Sequence, residues 1–271
     1  MIPIRDINPT TRTAWLTLAL MAANVAVFLL WEPTFADQGT QQTFLFCHAE
    51  IPFEVTHQTT LADGGAEAVQ AIDDTYRVGL PTAAAIQALL RERCPNKSWL
   101  ASIFTSMFLH GGFLHIAGNM LFLWIFGNNV EDRLGRIRFI LLYVLGGLAA
   151  SGLQLAFDPN AAVPNVGASG AIAAILGSYL VLFPRARIHT LVIFFFITFL
   201  ELPARFVLLA WLVLQLFSGV GQIGTQVGGG VAYWAHVGGF VFGGAVTWFF
   251  FRSPMQRPTT IPPFPPPPDL Y

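Results

Sequence analysis

Val166-Gly-Ala-Ser-Gly-Ala-Ile-Ala-Ala-Ile-Leu-Gly-Ser-Tyr-Leu-Val-Leu-Phe183 runs 18 residues without a charge, bracketed by Pro164 and Pro184. A bilayer-spanning helix needs about 20 mostly apolar residues, so this stretch reads as a membrane helix. Its surroundings agree. Of the 271 residues, 54% are hydrophobic and only 11% are charged, and mean hydropathy is +0.59. A soluble domain is about 25% charged, so less than half the usual polar coat is available. That excludes a soluble enzyme, a disordered protein and a nucleic-acid binder, whose phosphate contacts need clustered Lys and Arg. The formal net charge of -1 supplies no global field for a charged partner. The lipid bilayer is the implied partner.

Outward from that stretch, five more spans follow. Thr13 to Trp31 is uncharged between Arg12 and Glu32, and too long for the apolar part of a signal peptide. Ser98 to Val130 lacks Asp, Glu, Lys and Arg, but His110-Gly-Gly112 interrupts it; span 2 is therefore about Phe113 to Gly127, after an apolar approach segment. Phe139 to Phe157 is span 3, and Val231 to Phe251 is span 6. Span 5 is divided: Thr190 to Leu200 and Phe206 to Val220 flank Glu201 to Arg205. They read as one crossing with a break at Pro203, the first piece lying at the interface.

The positive charges test this count. Arg5 and Arg12, then Arg133, Arg136 and Arg138, then Arg185 and Arg187, then Arg252 and Arg257 all fall on one side. The short loops on the other side, Asp158 to Asn165 and Gly221 to Gly230, hold no Lys or Arg. By the positive-inside rule both termini are cytoplasmic. The expected fold is an all-α, six-helix bundle with a long outer loop, divided as 1–31, 32–98, 99–252 and 253–271. The last part is proline-rich and reads as a disordered tail.

The 32–98 segment carries nine acidic and four basic residues up to Lys97, and both cysteines. Ala66 to Ile72 and Thr82 to Arg93 look helical there. Paired thiols outside a bacterial inner membrane tend to be bridged, so a Cys47–Cys94 disulfide is expected, with two packed free thiols as the alternative.

Polar side chains inside spans are costly and mark function by default. Here they are His115 and Asn119 in span 2, Ser169 in span 4 and His236 in span 6. Counted from the outer face, all four lie within about one helical turn of the same depth. A membrane serine alone usually bonds its own backbone or packs as a small residue, and Gly167-Ala-Ser-Gly170 has that bland reading. The joint pattern favours chemistry. Ser169, Ala173 and Gly177 share one face of span 4, while His236, Gly239 and Gly243 share one face of span 6. Small residues let those faces approach, and a serine beside a histidine base is an activated nucleophile. Ser169 sits in a first helical turn, where free N–H groups can hold an oxyanion, and His115 and Asn119 project together at i, i+4. His110, in the approach loop, is a candidate for holding water. No metal or other cofactor is expected: there is no HExxH, and the spans hold no pair of Asp residues.

Four ordered motifs then stand together: His110-Gly-Gly-Phe-Leu-His115-Ile-Ala-Gly-Asn119, Glu131-Asp-Arg133-Leu-Gly135, Gly167-Ala-Ser169-Gly170, and Ala235-His236-Val-Gly-Gly239-Phe-Val-Phe-Gly243. Over about Ile103 to Phe251 the chain resembles the rhomboid intramembrane serine proteases. The resemblance implies Ser169 as nucleophile, His236 as base, and His115 with Asn119 as oxyanion contributors. It implies that Glu131 and Arg133 tie the cytoplasmic end of span 2, and that span 5 and the loop before span 6 gate access. Substrates would be transmembrane-helix proteins cut at a small residue, with the site open to the outer face of a bacterial inner membrane. Ala101-Ser102 stands where the family often has Trp-Arg, a departure that bears on the long loop. A catalytically dead, helix-binding relative would not need both Ser169 and His236, and no repeated halves suggest a transporter. Nothing in the sequence speaks to oligomeric state.

Overall fold

The computed structural model describes residues 2–193, 197–222 and 231–251. The proline-rich tail and most of the 221–230 loop lie outside the described residues. Twelve helices and three strands are described. Strand β1 (Ile2–Asp6) precedes helix α1 (Trp15–Ala26), which continues through a π-helical turn, Val27–Trp31. The 32–98 segment folds as α2 (Gln38–His48), α3 (Pro52–His57), α4 (Gly65–Tyr76) and α5 (Leu80–Arg93). Then come α6 (Trp99–Thr105), α7 (Phe113–Phe122), α8 (Asn128–Leu134), α9 (Arg136–Phe157) and α10 (Ser169–Leu182). Strands β2 (Arg187–Ile193) and β3 (Ile197–Pro203) lead into α11 (Ala204–Gln222), and α12 (Tyr233–Phe251) is last.

The chain is an integral membrane protein. Among the described residues, α9, α12 and Ala204–Gly221 of α11 are long and apolar enough to cross a bilayer. Trp99–Phe108 and Phe113–Leu134 form a further pair, bent by 74° where His110-Gly-Gly112 breaks the run. Trp15–Trp31 and Ser169–Leu182 are shorter apolar helices.

Two expectations need correction. The chain is mostly helical, not all-α, and Thr190–Leu200 is neither an interfacial helix nor the first half of a kinked span 5. Arg187–Ile193 and Ile197–Pro203 pair antiparallel, Arg187 opposite Pro203, and β1 adds to the β2 edge with Asp6 opposite Ile188. The reason is local: Ile188, Thr190, Val192, Thr198 and Phe199 are β-branched or aromatic and suit a pleated surface. Pro203 closes the strand, and α11 begins at the next residue. The sheet is tied to the bundle through Asp6, whose carboxylate accepts from Asn129 Nδ2 at 2.6 Å and Tyr179 Oη at 3.0 Å.

The bundle centre is α9, α10 and α12, packed almost backbone to backbone. A methyl on Gly243 would stand 1.9 Å from the Ala174 carbonyl oxygen, and one on Gly177 2.0 Å from that of Phe240. On the α9 side, a methyl on Gly146 would meet the Ala174 Cβ at 2.3 Å. Thr247 donates to Ser178 at 2.7 Å across the α10–α12 contact, both fully buried. At the other end of α7 and α8, Glu131 accepts from the N–H groups of Leu16 (3.0 Å) and Thr17 (2.7 Å) and from the Thr17 hydroxyl (2.8 Å). One carboxylate thus caps the first turn of α1. Arg133 lies two residues on, in the last turn of α8.

The outer segment is a subdomain with its own core of Ile51, Phe53, Leu61, Ile72 and Leu90. Cys47 and Cys94 are joined by a disulfide that links the α2 and α5 ends. Lys97 and Glu54 form a buried ion pair at 2.6 Å.

Candidate active site

Ser169 opens α10, directly after a glycine that makes the turn. Gly167 has φ +121°, which side-chain-bearing residues rarely adopt, and a methyl there would strike His115 Nε2 at 2.7 Å. The loop therefore needs glycine twice, for its conformation and for its approach to α7. Because Ser169 is the first residue of its helix, its N–H is among those without an intrahelical partner.

His236 arrives from α12 on the face that also carries Gly239, where a methyl would stand 2.1 Å from the Gly170 carbonyl oxygen. That contact seats the histidine against the start of α10. The Nε2 atom lies 2.8 Å from Ser169 Oγ, and Nδ1 lies 2.8 Å from Gln215 Oε1 of α11. A carboxamide oxygen can only accept, so Nδ1 carries the proton and Nε2 is the acceptor facing the serine hydroxyl. Gln215 was not a sequence candidate. The signal existed: it is the single carboxamide in the apolar run Phe206 to Val220, and such a residue is costly without a partner.

His115, Asn119, Ser169 and His236 border one cavity of about 580 Å³, together with Trp211, whose ring centroid lies 5.7 Å from that of His236. The Gly111 N–H donates to His115 Nδ1 at 3.3 Å, so in the neutral ring Nε2 carries the hydrogen, and it faces Gly167. Asn119 Nδ2 is buried and has no acceptor among the described residues. Two side-chain donors thus border the cavity that Ser169 also borders.

His110 is placed differently. It is buried, its ring Nδ1 is 3.1 Å from the Phe108 carbonyl, and its backbone N–H donates to the Glu32 carboxylate at 3.1 Å. It borders a neighbouring cavity of about 440 Å³ with Glu32, Gln41 and Phe113, not the cavity that holds Ser169. Desolvation raises the Glu32 pKa to about 7, offset in part by the His110 N–H.

Comparison with known proteins bears on the family. A rhomboid domain is matched over residues 97–253, more than half the chain. Rhomboid protein 1, mitochondrial, of Saccharomyces cerevisiae is 32% identical over 157 residues, covering 56% of this chain and 42% of that protein. RHOMBOID-like protein 5 of Arabidopsis thaliana is 30% identical over 178 residues, 64% of this chain and 52% of that protein. Rhomboid protease GluP of Bacillus subtilis is 41% identical over 78 residues, 29% of this chain and 15% of that protein. These matches span about half or less of each relative's own length. A matched domain that contains every residue of the cavity's polar wall, carried on an apolar helical bundle, places this chain in the rhomboid family.

Proposed function

We propose that the chain is an intramembrane serine endopeptidase that hydrolyses peptide bonds in or near transmembrane segments of membrane proteins. The observation that carries this reading is Ser169 Oγ at 2.8 Å from His236 Nε2, with His236 Nδ1 held by Gln215. In the proposed reaction His236 takes the hydroxyl proton as Ser169 Oγ attacks the scissile carbonyl carbon. The negative charge on the carbonyl oxygen is met by Asn119 Nδ2, His115 Nε2 and the Ser169 N–H. Collapse breaks the C–N bond, and His236 returns the proton to the leaving amine. Water, deprotonated by His236, then releases the acyl group and restores the serine.

Gln215 has the orienting role that a carboxylate fills in serine triads, without the negative charge that would stabilise an imidazolium. Helical hydrogen bonds shield the carbonyls of a transmembrane substrate, so substrates whose helix unwinds at the outer end are favoured. Counting Trp15–Trp31 and Ser169–Leu182 as short crossings gives six spans with cytoplasmic termini and the cavity facing outward. The relatives named above include a mitochondrial and a bacterial protein and give no specific support to a bacterial inner membrane.

Fluorophosphonate labelling tests the chemistry. The wild-type chain should label on Ser169, and His236→Ala should abolish labelling. Ser169→Ala should abolish cleavage of a reconstituted single-span substrate while the protein stays folded. Residual cleavage by purified Ser169→Ala protein at more than about one-hundredth of the wild-type rate would overturn the assignment.

A further inference from the structure

The segment that delivers Ser169 is held mainly by the outer subdomain. Between α9 and α10, Ala161 O accepts from the Phe53 N–H at 3.1 Å and Pro159 O from the Thr56 hydroxyl at 2.7 Å. The Ala162 N–H donates to Thr75 Oγ1 at 3.0 Å, and Ala162 O accepts from Tyr76 Oη at 3.3 Å. Ala162 itself is fully buried in the subdomain's apolar core, beside Ile51, Phe53 and Leu61. This is the docking of a loop into a folded unit, residue by residue.

Of the subdomain residues in that contact, Glu50 bonds the loop residue closest in sequence to Ser169, Asn165. It stands two residues past the end of α2 and three residues after the disulfide-bonded Cys47. Its carbonyl accepts from the Asn165 N–H at 2.7 Å, in an isolated antiparallel bridge. Its carboxyl accepts from Ser151 Oγ of α9 at 2.8 Å and from Asn165 Nδ2 at 3.4 Å. It is 2% exposed, and burial raises its pKa above the usual carboxylate range. Glu50, Ser151, Asn165 and Ser169 border one small cavity of about 50 Å³ behind the serine. Two residues beyond Asn165, the Gly167 N–H donates to Ser106 O at 2.9 Å, which fixes the other end of the short run to Ser169.

Resting on the protease reading above, we propose that Glu50 is a positioning residue for the hydrolysis. By joining Asn165 to Ser151 it holds the backbone of residues 165–168, so that the outer subdomain sets where the Ser169 hydroxyl and N–H stand. A carboxyl group buried between two donors makes little sense as general cohesion, because burial of that group is itself unfavourable. Two hydrogen bonds to Asn165 of the loop and one to Ser151 of α9 make sense as placement. Misplacing a reacting group by about 1 Å can cost about 10²-fold in rate.

The test uses the full chain with its disulfide intact, reading the Ser169 fluorophosphonate labelling rate together with kcat and KM on a single-span substrate. Glu50→Ala should slow labelling and kcat by about 10- to 100-fold, with KM within about twofold. Glu50→Gln should stay within about threefold of wild type, because its carbonyl oxygen can accept from Asn165 while its amide donates to Ser151. Asn165→Ala should show the Glu50→Ala loss, and the double variant should be no slower than either, the mark of one shared contact. Should Glu50→Ala not fold, Asn165→Ala and Glu50→Gln decide. Labelling at the wild-type rate in Glu50→Ala or Asn165→Ala overturns the proposal, as does a Glu50→Gln protein slowed as much as Glu50→Ala. A wild-type chain unlabelled at Ser169 would instead defeat the protease reading, so the two failures are distinguishable.

Discussion

The α9–α10–α12 centre and the 32–98 subdomain each have a buried core, but different contacts hold them. In the bundle, the contacts are backbone against backbone, with Gly177, Gly239 and Gly243 giving approaches that even a methyl group would block. In the subdomain, the contacts are side chain against side chain around Phe53, Leu61 and Ile72, stapled by Cys47–Cys94 and the Lys97–Glu54 pair. Lipid tails are as apolar as leucine, so helices inside a bilayer gain little from burying large apolar residues and much from fitting closely. A small unit in water has the opposite economy. It gains from removing apolar area from solvent, and at this size it benefits from a staple. Ser169 and His236 sit on the close-fitting half, while the loop leading to Ser169 is tied to the stapled half.

The comparison breaks most visibly at Gly243. Gly243→Leu should prevent the bundle from assembling, because the new Cβ would stand 1.9 Å from a backbone oxygen that has no free direction to move. Overpacking costs typically about 1–3 kcal/mol and more where nothing yields. Size-exclusion profile and melting temperature in mild detergent check this, and a normally melting Gly243→Leu protein would contradict it.

On the other half, the sharpest cut is Lys97→Met. Glu54 would keep its Leu61 N–H donor at 2.9 Å but lose its counter-ion at 2.6 Å, with both side chains almost wholly buried. Burial already pushes the Glu54 pKa up and the Lys97 pKa down, and their mutual attraction opposes both shifts. Breaking such a pair costs about 3–5 kcal/mol. The loss should appear as protease cleavage within 32–98 and faster reduction of Cys47–Cys94, with the bundle's melting changed far less. Equal loss in both halves would mean that they do not unfold separately.

The smallest effect distinguishes packed glycine from idle glycine within one helix. On α9, a methyl on Gly147 would meet Met107 Cε at 2.3 Å, whereas one on Gly152 would meet nothing within 4 Å. Gly152→Ala should therefore stabilise the protein by up to about 1 kcal/mol through helix propensity alone. A small rise in melting temperature at full activity is expected, and a fall would show that α9 depends on an unfilled surface at that point.

How much of this was legible in the chain depends on distance along it. Apolar runs, their charge-free lengths, and the small-residue faces through Ser169 and His236 are local patterns. A bilayer forces them into helices because an unpaired backbone group in lipid is so costly. Ala66 to Ile72 and Thr82 to Arg93 read as helices and lie within α4 and α5. Thr190 to Leu200 misled for an equally local reason: hydropathy does not distinguish an apolar strand from an apolar helix, and here Arg187–Ile193 pairs with Ile197–Pro203, with Ile2–Asp6 added at the other edge of β2 from nearly two hundred residues away.

The same division runs through the candidate site. Sequence alone set the expectation that a serine, two histidines and an asparagine share one layer, because helical rise converts residue number into depth, and all four border one cavity. Tertiary structure decided what each one faces. It put Gln215 on His236, set His110 on a neighbouring cavity, and brought Glu50 to the loop before Ser169. Those pairings depend on how helices rotate and where an outer loop docks. Rotation and docking are set by many weak contacts between distant segments, which no spacing within one segment encodes.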